Sequence, residues 1–371
     1  MKKRIGVIFG GRSGEHEVSL RSARSVLQAL DPHNYEVIQI GITLDGEWVV
    51  GENVLEALEQ RQTQHLMRVC LLPEPGHHRL YLRKVQGEYI VLEPYQSLDV
   101  IFPVLHGTFG EDGTLQGLLE LAGIAYVGAG VAASALGMDK ALFKQVMQAH
   151  YLPVVEYLVF TRAEIETDRL RVVEQAEALA PYPLFTKPVN LGSSVGITKC
   201  HNRAELMAGL EEAARYDRRI LVERGIDRAR EIEVSVLGNE QPIASVPGEV
   251  VPDEEFYSYA SKYLNNATQL LIPAPLTETL SQEIRRLAVA AYRAVDCAGM
   301  ARVDFLLDPR TQEVFISEIN TIPGFTEISM YPKLWEASGL PYSQLLDRLI
   351  NLALERQAER ERTQYTYRRG E

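Results

Sequence analysis

Residues 299 to 320, GMARVDFLLDPRTQEVFISEIN, admit few folds. Two apolar runs flank Asp308-Pro309, a turn-forming pair, so the segment reads as a β-hairpin. Side chains alternate faces along a strand. Ala301, Val303 and Phe305 therefore share one face of the first strand, and Arg302 and Asp304 share the other. Glu318 and Asn320 share one face of the second. Antiparallel pairing can bring Asp304, Glu318 and Asn320 together. Such an all-oxygen cluster suits Mg²⁺ or Mn²⁺ rather than zinc, with Arg302 beside it as a fixed cation. The plainer alternative is a solvated polar sheet face. It is disfavoured because Asp, Glu and Asn are depleted from strands, and this cluster ends at the Pro-Gly of TIPGF.

The chain has 371 residues, too long for one ordinary core, which predicts two or three domains. Residues 4 to 9 form a strand. Val18, Ser22, Val26 and Leu30 then recur at helical spacing, and 35 to 43 is a second strand. Residues 98 to 107 read as a buried strand, and TLQGLLELAG as a helix ending at Gly123. Residues 1–138 thus look like an open α/β domain, with short strands and a mobile stretch around PEPGHH inside 45–95. Beyond 139 the pattern changes to mixed helices and strands, with boundaries expected at 139–227 and 228–355. Helices are predicted over 164–180, 277–297 and YSQLLDRLINLALERQAER, and the tail 356–371 is expected to fray.

A net charge of −12 argues against general nucleic-acid affinity. The three cysteines are far apart and form no CxxC pair, which suits a reducing compartment without structural zinc. The run after MKKR stops at Gly-Gly and is too short for a signal peptide. The most apolar window, 123–138, is too short to span a bilayer. A cytoplasmic chain with no nucleic-acid and no membrane partner is expected.

Three further stretches carry chemistry. In TKPVNLGSSVGITKC (186–200), Lys187 ends an apolar strand and a Gly/Ser loop follows. Its backbone N–H groups and hydroxyls can wrap phosphate oxygens, although a flexible hairpin would look the same. It is not a Walker A loop. GGRSGEHEVSL (10–20) is a glycine turn opening a helix, where Glu15 and Glu17 could simply complement the helix dipole. It lacks the GxGxxG spacing of a dinucleotide site. LHGTFGEDGTLQG (105–117) puts His106, Glu111 and Asp112 just beyond a strand's carboxyl end, where open α/β sheets place ligands. No GxSxG elbow supports a triad hydrolase.

Taken together, GGRSGEHEVSL, LHGTFGEDGTLQGLLEL, MDK, KPVNLGSSVGI, YASKY, ARVDF and EINTIPGFTEISM resemble the D-alanine–D-alanine ligases of the ATP-grasp superfamily. The likeness covers roughly 1–44 and 97–351, in family order and spacing. It implies an α/β and α+β chain: an N-terminal open α/β domain, then two ATP-grasp subdomains holding ATP between them. On that pattern Lys140, Lys187 and Lys262 face the phosphates. Glu223 and the strand through Arg224 to Ile226 hold the adenine edge, and Glu231 the ribose. Asp304, Glu318 and Asn320 bind two Mg²⁺ or Mn²⁺ ions. Glu15 takes the ammonium of the first D-alanine, and His106 is counted among the catalytic residues. Arg302, Ser329 and the backbone at Gly324 and Met330 hold the second D-alanine and the oxyanion. Ser193 and Tyr263 link to Glu15 in a network that closes the loop 252–270. Arg224 stands where some members carry lysine, and Met330 where leucine is frequent.

The implied activity is ATP-dependent joining of two D-alanines through a D-alanyl phosphate for peptidoglycan precursors, in a homodimer. Rival readings are a D-alanine–D-lactate ligase, a nucleotide-dependent oxidoreductase and a non-catalytic nucleotide-binding regulator.

Overall fold

The protein is seen here as a computed structural model that describes residues 2–251, 269–326 and 328–365. Its first sheet begins β1 (Lys3–Gly10), α1 (His16–Ala29), β2 (Tyr35–Ile42), with β1 and β2 parallel. The segment 45–95 then supplies β3 (Trp48–Val50), α2 (Val54–Glu59), β4 (Met67–Leu71), β5 (Arg79–Gln86) and β6 (Tyr89–Ser97), which extend the sheet antiparallel. β7 (Val100–Val104), α3 (Thr114–Ala122) and β8 (Ala125–Tyr126) complete it in the order β6-β5-β4-β3-β2-β1-β7-β8. PEPGHH, read as mobile, sets Pro75 against Gly123, and the His78 carbonyl accepts from Leu98 at 2.8 Å.

Two helices follow, α4 (Val131–Met138) and α5 (Lys140–Ala149). Asp139 caps α5 by accepting from the Leu142 N–H at 2.9 Å. The second sheet contains β9 (Tyr157–Thr161), β10 (Leu184–Pro188), β11 (Thr198–Cys200) and β12 (Arg219–Arg224), ordered β11-β10-β12-β9. Three helices pack on it: α6 (Arg162–Thr167), α7 (Arg169–Leu179) and α8 (Arg203–Tyr216). The predicted helix 164–180 is split because Asp168 leaves helical geometry and caps the second piece.

The third sheet is built from β13 (Arg230–Leu237), β14 (Ile243–Ala244), β15 (Gly248–Val251), β16 (Gln269–Leu271), β17 (Met300–Leu307) and β18 (Val314–Asn320). Its helix is α9 (Glu278–Ala294); α10 (Met330–Ala337) and α11 (Tyr342–Arg360) close the chain.

Core packing does not follow chain order. Ala133 of α4 and Phe143 and Met147 of α5 are buried with Val303, Phe305 and Ile319 of the third sheet. Conversely, Leu345, Leu346, Leu349 and Ile350 of α11 join Ile5, Phe9 and Phe102 in the first sheet's core. Each such side chain contributes about 1.5–3 kcal/mol when buried, so α11 is a substantial strap across the molecule. The tail expected to fray from 356 is helical to Arg360. Arg356 donates to the carbonyls of Tyr126 (2.9 Å) and Gly128, Gln357 donates to the carbonyl of Gly123 (3.0 Å), and Arg360 pairs with Glu120.

Candidate active site

β1 has β2 on one side and β7 on the other, so the chain leaves their adjacent ends in opposite directions. Such a switch point opens a crevice beyond the strands' carboxyl ends. Glu15, at the start of α1, and His106, just after β7, both reach it. Gly107 lies between them at φ 74°, and a Cβ there would come within 2.5 Å of a Glu15 carboxylate oxygen. Only glycine fits. Ser193, on the Gly/Ser loop after β10, donates its hydroxyl to Glu15 and so joins the second sheet to the first. Glu111 accepts from the Gly107 N–H at 2.7 Å. Burial, and then the Glu15 charge, push the Glu111 carboxyl up to about 8 against the pull of the Gly107 and Ile322 amides.

Across the crevice stands the hairpin. Asp304 pairs directly with Glu318 and Arg302 with Asn320, and a bulge follows Asp304. Bulges beside sites re-aim side chains. Arg302 donates to both Asp304 oxygens, at 2.7 and 2.6 Å, and lies 3.0 Å from Glu233 on β13. Burial works against its charge, but Asp304 and Glu233 outweigh that and raise its pKa well above the ordinary value. Asn320 donates to Asp304 at 2.9 Å, and Lys140 stands 3.6 Å from Glu318. Among the described residues no cluster of three or more His, Cys, Asp or Glu groups has metal-binding geometry. The hairpin offers two carboxylates and an amide, a hard oxygen set that fits a small divalent cation. Glu15, His106, Lys140, Ser193, Arg302 and Glu318 all line one cleft of about 750 Å³.

A second charge cluster is largely buried. Glu223 on β12 sits 2.7 Å from Lys144 and 2.5 Å from Lys187. Burial would raise its pKa, but the two ammonium groups overcome this and hold it down to about 2. Burial lowers the pKa of Lys144 despite Glu223, whereas for Lys187 Glu223 wins and raises it. At the end of β12, the Arg224 and Gly225 N–H groups donate to the carbonyls of Glu156 and Pro183. The Ile226 N–H takes no described hydrogen bond, which leaves it free for a ligand's ring edge. The Arg224 side chain pairs with Glu156 and covers the Phe315 ring. Glu231 is half-buried on β13, two residues before Glu233 and on the same face.

At the other end of the cleft, Ser329 opens α10 and accepts from the Thr326 N–H at 3.0 Å. A Cβ on Gly324 would lie 2.8 Å from the Ser329 hydroxyl oxygen, so the TIPGF turn needs glycine to approach that closely. Met330 is buried with Val250 and Leu334 and forms the wall beside Ser329.

The sequence-predicted residues Glu15, His106, Lys140, Ser193, Arg302, Asp304, Glu318, Asn320, Gly324 and Ser329 thus gather at one cleft. Lys187, Glu223, Arg224, Ile226 and Glu231 are not among the residues that line that cleft. Lys262, Tyr263 and residues 252–268 of the expected closing loop fall outside the described residues. Sequence reasoning missed Lys144 and Glu233. Lys144 is four residues after Lys140 on α5, a spacing that puts both on one helix face. Glu233 alternates with Glu231, as two acids on one strand face must.

The chain is similar to known proteins over most of its length. The model described as D-ala D-ala ligase N-terminus matches residues 4–129, and D-ala D-ala ligase C-terminus matches 146–351. The D-alanine–D-alanine ligase of Natranaerobius thermophilus is 53% identical over 364 residues, 98% of each chain. That of Heliobacterium modesticaldum is 51% identical, covering 98% of this chain and 97% of its own. Among solved structures, the D-alanine-D-alanine ligase from Coxiella burnetii superimposes with a TM-score of 0.81 at 38% identity, over 97% of this chain and 96% of that one. The VanG D-Ala:D-Ser ligase from Enterococcus faecalis gives 0.82 at 36%, over 95% and 100%.

Proposed function

The chain belongs to the D-alanine–D-alanine ligase family, and from that premise we propose how its ATP-grasp fold makes D-alanyl-D-alanine for peptidoglycan precursors. The observation that carries the reading is one cleft with Glu15 on one wall and the Arg302–Asp304–Glu318–Asn320 hairpin on the other. An ammonium acceptor thereby faces a polyanion and metal site, the pairing that carboxylate activation by ATP requires.

Glu15, fixed by the Ser193 hydroxyl, holds the ammonium of the first D-alanine. Its carboxylate attacks the γ-phosphorus of ATP, ADP leaves, and a D-alanyl phosphate forms. Lys140, Lys187 and Lys262 neutralise the phosphates. The Ile226 N–H and the Arg224 backbone take the adenine edge, with Glu231 at the ribose. The Glu223 carboxylate fixes Lys187 and Lys144, and its backbone continues the strand that takes the adenine edge. Asp304, Glu318 and Asn320 are the residues that would hold two Mg²⁺ or Mn²⁺ ions, whose charge offsets that of the phosphates. The second D-alanine, as a free amine with its carboxylate at Ser329, attacks the acyl carbon. Arg302 and the N–H groups of Gly324 and Met330 face the oxyanion, and phosphate departs. Exclusion of water keeps the acyl phosphate from hydrolysis.

The functional units proposed are 1–138, 139–227 and 228–355, tied by α4–α5 and by α11. A homodimer and a cytoplasmic location are proposed with them; among the described residues no helix is long and apolar enough to cross a membrane. The test is the purified protein with ATP, Mg²⁺ and D-alanine, read by dipeptide mass and phosphate release. One phosphate per D-alanyl-D-alanine is expected. Product only when D-lactate or D-serine is added would reassign the second site, and no product would sink the reading.

A further inference from the structure

The TIPGF turn, which on the reading above presents the Gly324 amide to the second step, belongs to the C-terminal chain but is not held by it alone. Ile322 and Phe325 are buried in the first sheet's core with Phe9 and Phe102. The Phe325 ring meets Phe102 edge-on at 6.0 Å. Polar contacts follow the same direction. The His106 Nδ1 lies 3.1 Å from the Ile322 carbonyl, its Nε2 lies 3.0 Å from the Ser22 hydroxyl, and the Phe325 N–H donates to that hydroxyl at 3.3 Å.

These contacts allow one pattern of protons. A carbonyl only accepts, so Nδ1 carries the hydrogen. A neutral ring then presents a lone pair at Nε2, and the Ser22 hydroxyl donates to it. The hydroxyl's own lone pair is left to receive the Phe325 N–H. Burial lowers the His106 pKa, in keeping with a neutral ring. Ser22 and His106 are both buried. The loop closes on residues 322 and 325, the two ends of the Pro-Gly step.

We propose that Ser22 and His106 are positioning residues that clamp the 322–325 turn to the N-terminal sheet and so aim the Gly324 amide at the acyl carbon. Neither ring nitrogen of His106 is then left for substrate. Ser22 explains itself in the same way: a serine replaces the apolar residue that α1's buried face would otherwise carry.

A slack turn harms the second step more than the first. D-alanyl phosphate still forms, but the amine attack slows. Water then attacks the acyl carbon instead, returning D-alanine and phosphate. Phosphate and dipeptide are counted in the same reaction. In wild type, absence of dipeptide would refute the ligase reading and says nothing of the clamp. Given wild-type dipeptide, Ser22→Ala should lower its rate about tenfold, the scale of one lost hydrogen bond. Phosphate per dipeptide should rise above one, KM for ATP should hold, and Ser22→Thr should restore the ratio. Should Ser22→Ala fail to fold, His106→Asn carries the test, because it retains an N–H for Ile322 and drops the Ser22 link. A phosphate-to-dipeptide ratio that stays at one in the folded variant overturns the clamp.

Discussion

The two ends of the cleft treat their carboxylates in opposite ways. At the nucleotide end four acids are matched with cations: Glu223 with Lys144 and Lys187, Asp304 and Glu233 with Arg302, Glu318 with Lys140. At the amino-acid end Glu15 and Glu111 meet hydroxyls and backbone amides, and no described cation forms an ion pair with Glu111. On the proposed function the contrast reflects the ligands. ATP arrives as a polyanion, so its site needs cations, and the acids that anchor them must be charged. D-alanine brings its own ammonium, so its site needs an acceptor. Within the nucleotide end a second contrast follows from burial. Glu223 and Lys144 are buried, which suits a stability role, whereas Glu318 lines the cleft, where on the proposed function it serves turnover.

The largest expected effect breaks the buried cluster. Lys144→Met keeps the side-chain length and removes one of the two charges on Glu223. Breaking a buried pair by losing one partner costs about 3–5 kcal/mol. Denaturant unfolding should show that loss. A change within error would mean Lys187 alone suffices, and the cluster would not be a stability element.

Glu318→Gln should do the reverse. Its side chain is partly exposed in the cleft, so unfolding should barely move, while turnover falls roughly 10²–10³-fold. Near-normal turnover at saturating Mg²⁺ would take the hairpin out of the phosphate site. Loss of stability equal to that of Lys144→Met would erase the distinction between buried and cleft-lining acids.

Acid gives a third handle. Glu223 is held down to about 2 from an ordinary 4.5, so between those values the unfolded chain binds a proton that the native chain does not. That stability is present above about pH 4.5 and is lost as pH falls toward 2. Urea midpoints followed from pH 5 downward should drop in wild type. In Lys144→Met the drop should be smaller and should end at higher pH, because one ammonium no longer depresses Glu223 while the unfolded chain still sets the onset. Parallel curves would assign acid lability to other groups.

Much of this was legible in the sequence, for identifiable reasons. The hairpin was readable because strand alternation is local, and it put Asp304, Glu318 and Asn320 on one face as observed. The bulge after Asp304 was not, since it depends on pairing between strands. Helix 342–360 was readable from its period, but not its partner: its leucines dock on strands more than 200 residues earlier. The tail from 356 looked frayed because its charges seemed solvated. Arg356 instead spends its donors on carbonyls of Tyr126 and Gly128. Lys144 was not singled out because nothing local reports that β12 brings Glu223 against α5. Ser22 was counted as one position of a helical face. Its hydroxyl's task depends on residues near 106 and 325, which only the fold brings together.

The smallest expected effect sharpens the first contrast. Glu111 is the acid that burial and the neighbouring Glu15 keep protonated, with its carboxyl pushed up to about 8. Here the native chain holds a proton from about pH 4.5 to 8 that the unfolded chain has released. The sign is therefore opposite to that of Glu223. Its contribution is complete below about pH 4.5 and is lost as pH rises through 8. Gln copies the neutral acid and cannot ionise. Glu111→Gln should thus unfold much like wild type near pH 4, where the side chain is neutral in both states of both chains. From pH 7 to pH 9 wild type should lose about 1.4 kcal/mol relative to the variant. Ionised Glu111 would also add a second negative charge near the first D-alanine's ammonium. KM for that substrate should fall from pH 7 to 9 in wild type more than in the variant. If both chains lose stability equally between pH 7 and 9, the amino-acid end carries its acids ionised like the nucleotide end, and the contrast between the two ends fails.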